Sequence, residues 1–162
     1  MTIAMNFINP TKGKMSISRM VQDIVAFMEE DPSAEYKLIV GTDSQSGENT
    51  CFVTAVIIHR VGRGARYYYY RKYIPHVRNL RHKIFTETSM SLDTATRLKE
   101  EMIKTRYKDM DMEIHVDIGQ NGDTKELIRE VVGWVMGMGN GYKVKIKPDA
   151  CGASKVADRY TK

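Results

Sequence analysis

The chain has 162 residues and a formal net charge of +5, and 42% of its residues are hydrophobic while 28% are charged. This length and composition predict a single domain, residues 1–162, with a sizeable core, and the sequence shows no internal repeat or low-complexity tract. The excess of Lys and Arg favours an anionic partner such as nucleic acid over a basic one.

No uninterrupted apolar run approaches the roughly 20 residues that a helix needs to cross a bilayer, so we expect a soluble protein. The two cysteines, Cys51 and Cys151, form no CxxC motif, and the N-terminus has no signal-like segment. This pattern predicts reduced thiols in a cytoplasmic protein that has no membrane partner.

The first 35 residues are predicted to hold an irregular leader and one helix. Residues 1–14 form the leader, with a turn signal at Asn9-Pro10-Thr11. From Ser16, a residue type that favours the N-cap, apolar residues recur at helical spacing to Glu30, and the Asp-Pro pair that follows ends the helix. Residues 36–162 then form the predicted core of the domain.

Three strands are predicted to open this core. The nearly continuous apolar run 38–43 (LIVGTD) is typical of a strand that is buried on both faces of a sheet. Turn residues at 46–49 separate it from the β-branched run 51–59, which indicates an antiparallel hairpin. A second turn leads to a third strand at 66–74, so the three strands form an antiparallel meander.

The remaining elements alternate between helices and strands. In chain order they are a helix at about 85–107, a strand at 113–118, a helix at 127–138, a strand at 142–147 and a short helix at 153–160. This order predicts an α/β domain with a mixed five-stranded sheet, whose last two strands run parallel to the first and whose faces are flanked by helices. The N-terminal helix is an addition to that core.

Four acidic residues fall on four different elements of this predicted core: Asp43, Glu87, Asp117 and Asp158. Burying an ionised carboxylate without a partner costs several kcal/mol, so a convergent set of carboxylates needs a cation. Mg²⁺ or Mn²⁺ fits such a set, because these hard ions take oxygen ligands and complete their coordination with water and substrate phosphate. The pattern therefore predicts a metal site for phosphodiester chemistry.

Asp43 and Glu87 also have ordinary interpretations. Asp43 could cap the turn that follows its strand, and Glu87, on the margin of the inward helical stripe, could be a first-turn carboxylate favoured by the helix dipole. Asp149 could cap the last helix or supply the metal ligand that we assign to Asp158. We favour Asp158 for that position and keep Asp149 as the alternative.

Basic residues are densest between positions 71 and 83, where they interleave with tyrosines. Phosphate neutralisation combined with base stacking would suit single-stranded or duplex nucleic acid. A solvated edge strand whose charges discourage aggregation is the alternative. Ser44 and Gln45 could contact a phosphate or sugar, or satisfy local backbone groups. The predicted nucleic-acid contacts are Ser44, Gln45, Arg71, Lys72, Arg78, Arg81, Lys83 and Lys155.

With this order of elements, the chain resembles the ribonuclease H-like superfamily over roughly residues 36–162. More narrowly it resembles the YkuK family, through Asn9-Pro10-Thr11, IVGTDSQ at 39–45, HVDIG at 115–119 and KPDACGASKVADR at 147–159. In the superfamily, catalytic acids come from the first strand, the first core helix, the fourth strand and the final helix. The resemblance implies that these places are held by Asp43, Glu87, Asp117 and Asp158.

The resemblance implies a metal-dependent nuclease that hydrolyses RNA, an RNA/DNA hybrid or structured DNA with two ions about 3.5–4 Å apart. A proofreading-type exonuclease is disfavoured, because it would carry Asp-x-Glu where this chain has Asp43-Ser44-Gln45. The alternatives are a non-catalytic nucleic-acid-binding module on the same scaffold and a domain whose acids hold one structural ion. The chain ends four residues after Asp158, so a homodimer that supports the last helix is an open alternative to a monomer.

Overall fold

A computed structural model describes residues 5–45, 49–119, 124–146, 156 and 160. The elements in these ranges are β1 (Asn6–Asn9), β2 (Gly13–Ser16), α1 (Ile17–Glu29), β3 (Tyr36–Gln45), β4 (Asn49–Arg60), β5 (Ala65–Pro75), α2 (Leu80–Met102), β6 (Met112–Val116), α3 (Lys125–Gly137) and β7 (Lys143–Ile146). No helix in the described ranges combines the length and the hydropathy of a membrane-spanning segment. Most of the predicted final helix, residues 153–160, lies outside the described residues.

The described strands form one sheet in the order β2-β1-β5-β4-β3-β6-β7. Strands β3, β4 and β5 pair as an antiparallel meander, β6 pairs parallel with β3, and β7 pairs parallel with β6. This arrangement confirms the predicted α/β class, with three antiparallel strands followed by two strands parallel to the first.

The N-terminal leader differs from the prediction. Instead of an irregular segment, β1 and β2 form a hairpin that extends the predicted five-stranded sheet to seven strands. The Asn9 side-chain oxygen accepts hydrogen bonds from the backbone N–H groups of Thr11 and Lys12, and Gly13 supplies the positive φ of +79° that closes the turn. Each strand has only four residues, too few to show the alternation that predicts a strand.

Helices α1 and α2 each begin at a polar side chain that caps them. Ser16 accepts a hydrogen bond from the Arg19 backbone N–H, which confirms the predicted start of α1. Helix α2 begins at Leu80, before the predicted residue 85, because the Asn79 side chain accepts a hydrogen bond from the His82 backbone N–H. Helix α2 therefore includes part of the basic segment that precedes Glu87.

The sheet has two unequal faces. One face packs against α1, α2 and α3 and forms the main core, which includes Val40 of β3 and Ile114 of β6. The opposite face carries smaller apolar clusters around Ile39 and Val53, and these pack against Val156 and Tyr160. Successive residues of a strand point to opposite faces, so the end of β3 distributes its side chains between two environments.

A buried carboxylate attaches the N-terminal hairpin to the rest of the domain. Asp23 of α1 is buried and accepts hydrogen bonds from Lys12 and from the Tyr68 hydroxyl, and Arg66 lies 3.3 Å from its Oδ2 atom. Burial alone would raise the pKa of Asp23, but these hydrogen bonds and cationic partners lower that pKa below its ordinary value. The carboxylate thus connects α1 with the β1–β2 turn and with β5.

We expect Asp23→Ala to lower the free energy of unfolding by about 2–3 kcal/mol at neutral pH, because it leaves the buried Tyr68 hydroxyl and two cations without their acceptor. Urea unfolding followed by circular dichroism measures this change. Asp93→Ala is the matched control, since its exposed (i, i+4) pair with Arg97 should contribute only about 0.3–0.5 kcal/mol. Equal effects of the two substitutions would contradict the role of Asp23.

Candidate metal centre and nucleic-acid interface

Two predicted acids lie side by side at the carboxyl ends of two inner strands of the sheet. Strands β3 and β6 are parallel neighbours, and their last aligned pair is Gly41 with His115. Extending this register by two residues sets Asp43 beside Asp117. The two side chains hydrogen-bond each other. Burial raises the pKa of Asp43 to about 6, and the Asp117 carboxylate also raises it, against the Ser44 backbone N–H and the Lys83 charge.

The third predicted acid is more deeply buried. Glu87 of α2 is only 4% exposed, and its Oε2 atom accepts a hydrogen bond of 2.7 Å from the Ser44 hydroxyl. Burial raises the pKa of Glu87 to about 8, and the charges of Asp43 and Asp117 act in the same direction. The Ser44 hydrogen bond and the nearby Lys83 ammonium favour the ionised form, but they do not offset the burial.

Strand alternation separates Glu87 from Asp43. Thr42 faces α2, where its hydroxyl lies 2.8 Å from the hydroxyl of Ser91, and Ser44 faces α2 through its bond to Glu87. Asp43 lies between them in sequence and pairs directly with Val53, which belongs to the apolar cluster on the opposite face. The strand end therefore presents its hydroxyl groups to the helix and its carboxylate to the other side.

The carboxylates fit a hard divalent cation in donor type and in charge. Three acidic side chains interact repulsively, and the pKa values of Asp43 and Glu87 are both raised. Within the described ranges, however, no three His, Cys, Asp or Glu side chains converge closely enough to form a metal-binding group. The described part of the site is a close Asp43–Asp117 pair, with Glu87 on the α2 side of the same strand end. Asp149 and Asp158 lie outside the described residues.

The predicted nucleic-acid contacts do not form one continuous surface. Lys83, one helical turn before Glu87, lies near the acids and lowers the pKa of both Asp43 and Glu87. Arg78 and Arg81 lie at the start of α2, and Gln45 is exposed at the end of β3. Ser44, by contrast, is buried against Glu87, and Lys155 lies outside the described residues.

The two predicted nucleic-acid contacts in β5, Arg71 and Lys72, point to opposite faces of the sheet. Lys72 follows Arg71 directly, and it lines a small cavity with Asp93 on the face that packs against α2. Arg71 lies on the other face, where its Nε atom donates a hydrogen bond of 2.9 Å to the Tyr160 carbonyl oxygen and its guanidinium lies over the Tyr69 ring. One nucleic-acid strand that follows a single face of the sheet cannot contact both side chains.

Tyr160 is an anchoring residue that sequence reasoning missed. Its ring stacks on Tyr69 with a centroid distance of 3.8 Å, and its hydroxyl lies 2.7 Å from the hydroxyl of Tyr67. These contacts attach Tyr160 to the sheet face toward which Asp43 points. The tyrosine-rich sequence of β5 suits base stacking, and the sequence contains no signal that Tyr160 packs against two of these tyrosines.

The β3–β4–β5 meander, followed by the parallel β3–β6 pair with acids at its carboxyl end, is the arrangement of a ribonuclease H-like domain. The chain belongs to the Ribonuclease H-like family, which it matches over residues 19–162. It is 34% identical over 168 residues to the uncharacterized protein YkuK of Bacillus subtilis (strain 168), and the match covers 96% of each chain. No solved structure gives a significant match. Both predicted resemblances are thereby confirmed.

We expect the metal-free protein to become less stable as pH rises from about 4.5 to about 8. The pKa of Glu87 is raised from 4.5 to about 8 in the folded state, so the folded chain holds this proton more tightly than the unfolded chain. The stabilisation is fully present below the unfolded-state pKa of 4.5, and it is lost as the pH rises through the folded-state pKa of about 8. At about 1.4 kcal/mol per pKa unit, the loss amounts to a few kcal/mol.

Melting temperatures in EDTA at pH 5.5 and 8.5 measure this effect. Glu87→Gln should reduce the difference between the two, whereas Glu100→Gln, at an exposed position of the same helix, should not. Mg²⁺ should raise the melting temperature of the unaltered chain more at the higher pH, since the carboxylates bind it only when deprotonated. The same pH dependence in the unaltered chain and in Glu87→Gln would contradict the assignment to Glu87.

Proposed function

We propose that this protein is a Mg²⁺- or Mn²⁺-dependent nuclease that hydrolyses phosphodiester bonds of RNA, an RNA/DNA hybrid or structured DNA. The observation that carries the proposal is the pairing of Asp43 and Asp117 at the carboxyl ends of adjacent parallel strands, with Glu87 buried on the α2 side of the same strand end. Stability alone gives no reason to place mutually repelling carboxylates together. A cation and a phosphate would compensate their charge.

The position of each acid determines its proposed role in metal binding. Asp43 and Asp117 would hold the metal directly, because their carboxyl groups already lie within hydrogen-bonding reach of each other. Glu87 would contribute a third carboxylate, oriented by the Ser44 hydroxyl, and Asp158 would complete the set in the proposed scheme. Two bound divalent ions would activate a water molecule and stabilise the leaving 3′ oxygen during in-line displacement at phosphorus.

The basic residues near the acids would bind and orient the substrate. Lys83 is best placed for a phosphate close to the acids, since its charge acts on both Asp43 and Glu87. An ammonium group at this position would offset phosphate charge without closing the site to water. Arg78 and Arg81, further along the same helix start, would contact a more distant part of the strand.

A second function, a nucleic-acid-binding module without turnover, is favoured by one specific observation. The described carboxylates do not converge as a three-ligand group, and the Ser44 hydrogen bond holds Glu87 on the α2 side of the strand. A chain that kept the scaffold but lost cleavage would bind nucleic acid in a salt-sensitive manner and would show no metal-dependent product.

We expect Asp43→Asn and Asp117→Asn each to reduce metal-dependent cleavage by more than about 100-fold, the upper range for residues that only orient a metal ligand. Cleavage is measured on labelled single-stranded RNA, RNA/DNA hybrid, duplex DNA and branched DNA, with Mg²⁺, Mn²⁺ or EDTA. Asp111→Asn is the matched control, because Asp111 lies just before the opposite end of β6 and is 65% exposed. Full activity in either site variant would overturn the assignment, and binding without cleavage by the unaltered chain would favour the second function.

A further inference from the structure

A groove at the start of α2 combines cationic and aromatic groups. It encloses about 580 Å³ and is lined by His76, Arg78, Asn79, Arg81, His82 and Phe85. This volume is within the range of small-ligand sites and suits one nucleotide. The groove lies on the Arg81–Phe85 side of α2, whereas Glu87 faces Ser44 and the sheet.

The aromatic residue of this groove, Phe85, is in contact with Trp134 of α3, which lies next to the groove lining. The rings of Phe85 and Trp134 stack with a centroid distance of 5.5 Å and an interplanar angle of 18°. Both side chains are only partly buried, although they also pack against the main core. Phe85 is the member of the pair that lines the open groove, together with Arg78 and Arg81. A partly exposed stacked pair is a surface on which a further planar ring can stack.

The cationic part of the groove can change partners at low cost. Arg81 lies 4.8 Å from the centroid of the Phe85 ring and 2.5 Å from Glu130 Oε2, and this ion pair is largely exposed. Exposed ion pairs contribute little to stability, so Arg81 can turn from Glu130 and the ring to a phosphate. The planar base would then take the place of the guanidinium over the ring.

The backbone around the groove is held in a defined conformation. His76 has a φ of +60°, and among the described residues every other positive φ belongs to a glycine. The Arg78 backbone N–H donates to His82 Nδ1 at 3.2 Å, and Asn79 caps the helix directly beside it. Strained backbone that is supported by neighbouring hydrogen bonds is typical of binding and catalytic segments. A preorganised groove also reduces the entropic cost of binding.

From these observations we infer that the groove binds an unpaired nucleotide of the substrate, with its base stacked on Phe85 next to Trp134 and its phosphate held by Arg78 and Arg81. A base within a duplex cannot offer its face to a side chain, so the groove selects single-stranded segments, loops or branches. The inference rests on the proposed nucleic-acid substrate and narrows it to nucleic acid with unpaired bases.

Trp134 allows a direct test, because it is the single tryptophan of the chain. We would titrate the protein in EDTA with a short single-stranded oligonucleotide and with the matching blunt duplex. Tryptophan fluorescence reports stacking, and the anisotropy of labelled strands reports binding. The single strand should quench the fluorescence, and the duplex should bind more weakly and quench little.

Variants separate this groove from other surfaces. Phe85→Leu keeps an apolar side chain for packing and should weaken binding of the single strand about tenfold, with little change in melting temperature. Arg78→Ala should reduce the slope of log Kd against log salt by about one. Tyr73→Leu, at an aromatic residue that is 61% exposed, and Arg106→Ala, near the other end of α2, should bind as the unaltered chain does.

The outcomes distinguish this inference from the proposed activity. Unchanged binding by Phe85→Leu, binding without quenching, or no binding of any oligonucleotide would each overturn the inference. Because the titration is done in EDTA, it gives the same answer whether or not the protein cleaves. If cleavage depends on Asp43 but Phe85→Leu keeps both KM and kcat, the nuclease proposal stands and the groove assignment falls. If quenching is observed without cleavage, the groove assignment stands alone.

Discussion

Strand β3 is the element on which the arrangement of the domain depends. It pairs antiparallel with β4 along its full length and parallel with β6, and it is packed on both faces. Each side chain at the end of β3 must therefore point to one of the two faces of the sheet. Thr42 and Ser44 enter the side of α2 and meet hydroxyl and carboxyl groups there, while Asp43 enters the side on which Asp117 lies. The site is thus formed around the end of one strand, from both of its faces.

This placement creates an electrostatic conflict that the folded chain must resolve. Glu87 is buried, and its hydrogen bond from Ser44 and the charge of Lys83 do not prevent its pKa from rising to about 8. In the metal-free chain the raised pKa favours the protonated form of Glu87, whereas a bound cation would favour its ionised form. Apolar residues of similar volume would serve stability better, since buried charges without full compensation are destabilising. The conflict is understandable if the acids are retained for chemistry.

The sequence predicted the part of the fold in which pattern and length are unambiguous. The apolar run at 38–43, the β-branched strand after it and the alternation around Asp117 specified the meander and the parallel β3–β6 neighbours, and hence the pairing of Asp43 with Asp117. It did not predict the β1–β2 hairpin, whose strands depend on Asn9 side-chain bonds and on burial of Phe7 rather than on periodicity. Nor could it show that Ser44 would turn inward to Glu87, because that bond joins residues 43 positions apart.

The basic residues illustrate the same limit and narrow the proposed interface. In sequence, Arg71, Lys72, Arg78, Arg81 and Lys83 form one dense segment. In the folded chain, alternation along β5 sends Arg71 to Tyr160 and Lys72 to the opposite face, while the helical spacing of α2 turns Arg81 toward α3 and Lys83 toward the acids. Charge density in a sequence is therefore a poor measure of a binding surface.

Helix α2 is the element that connects the proposed chemistry with the proposed recognition of substrate. Lys83 and Glu87 occupy one side of its first turns, and Arg81 and Phe85 occupy the other. A strand that reached both sides would have to pass over the start of this helix, where the strained turn at His76 and the Asn79 cap fix the path of the backbone.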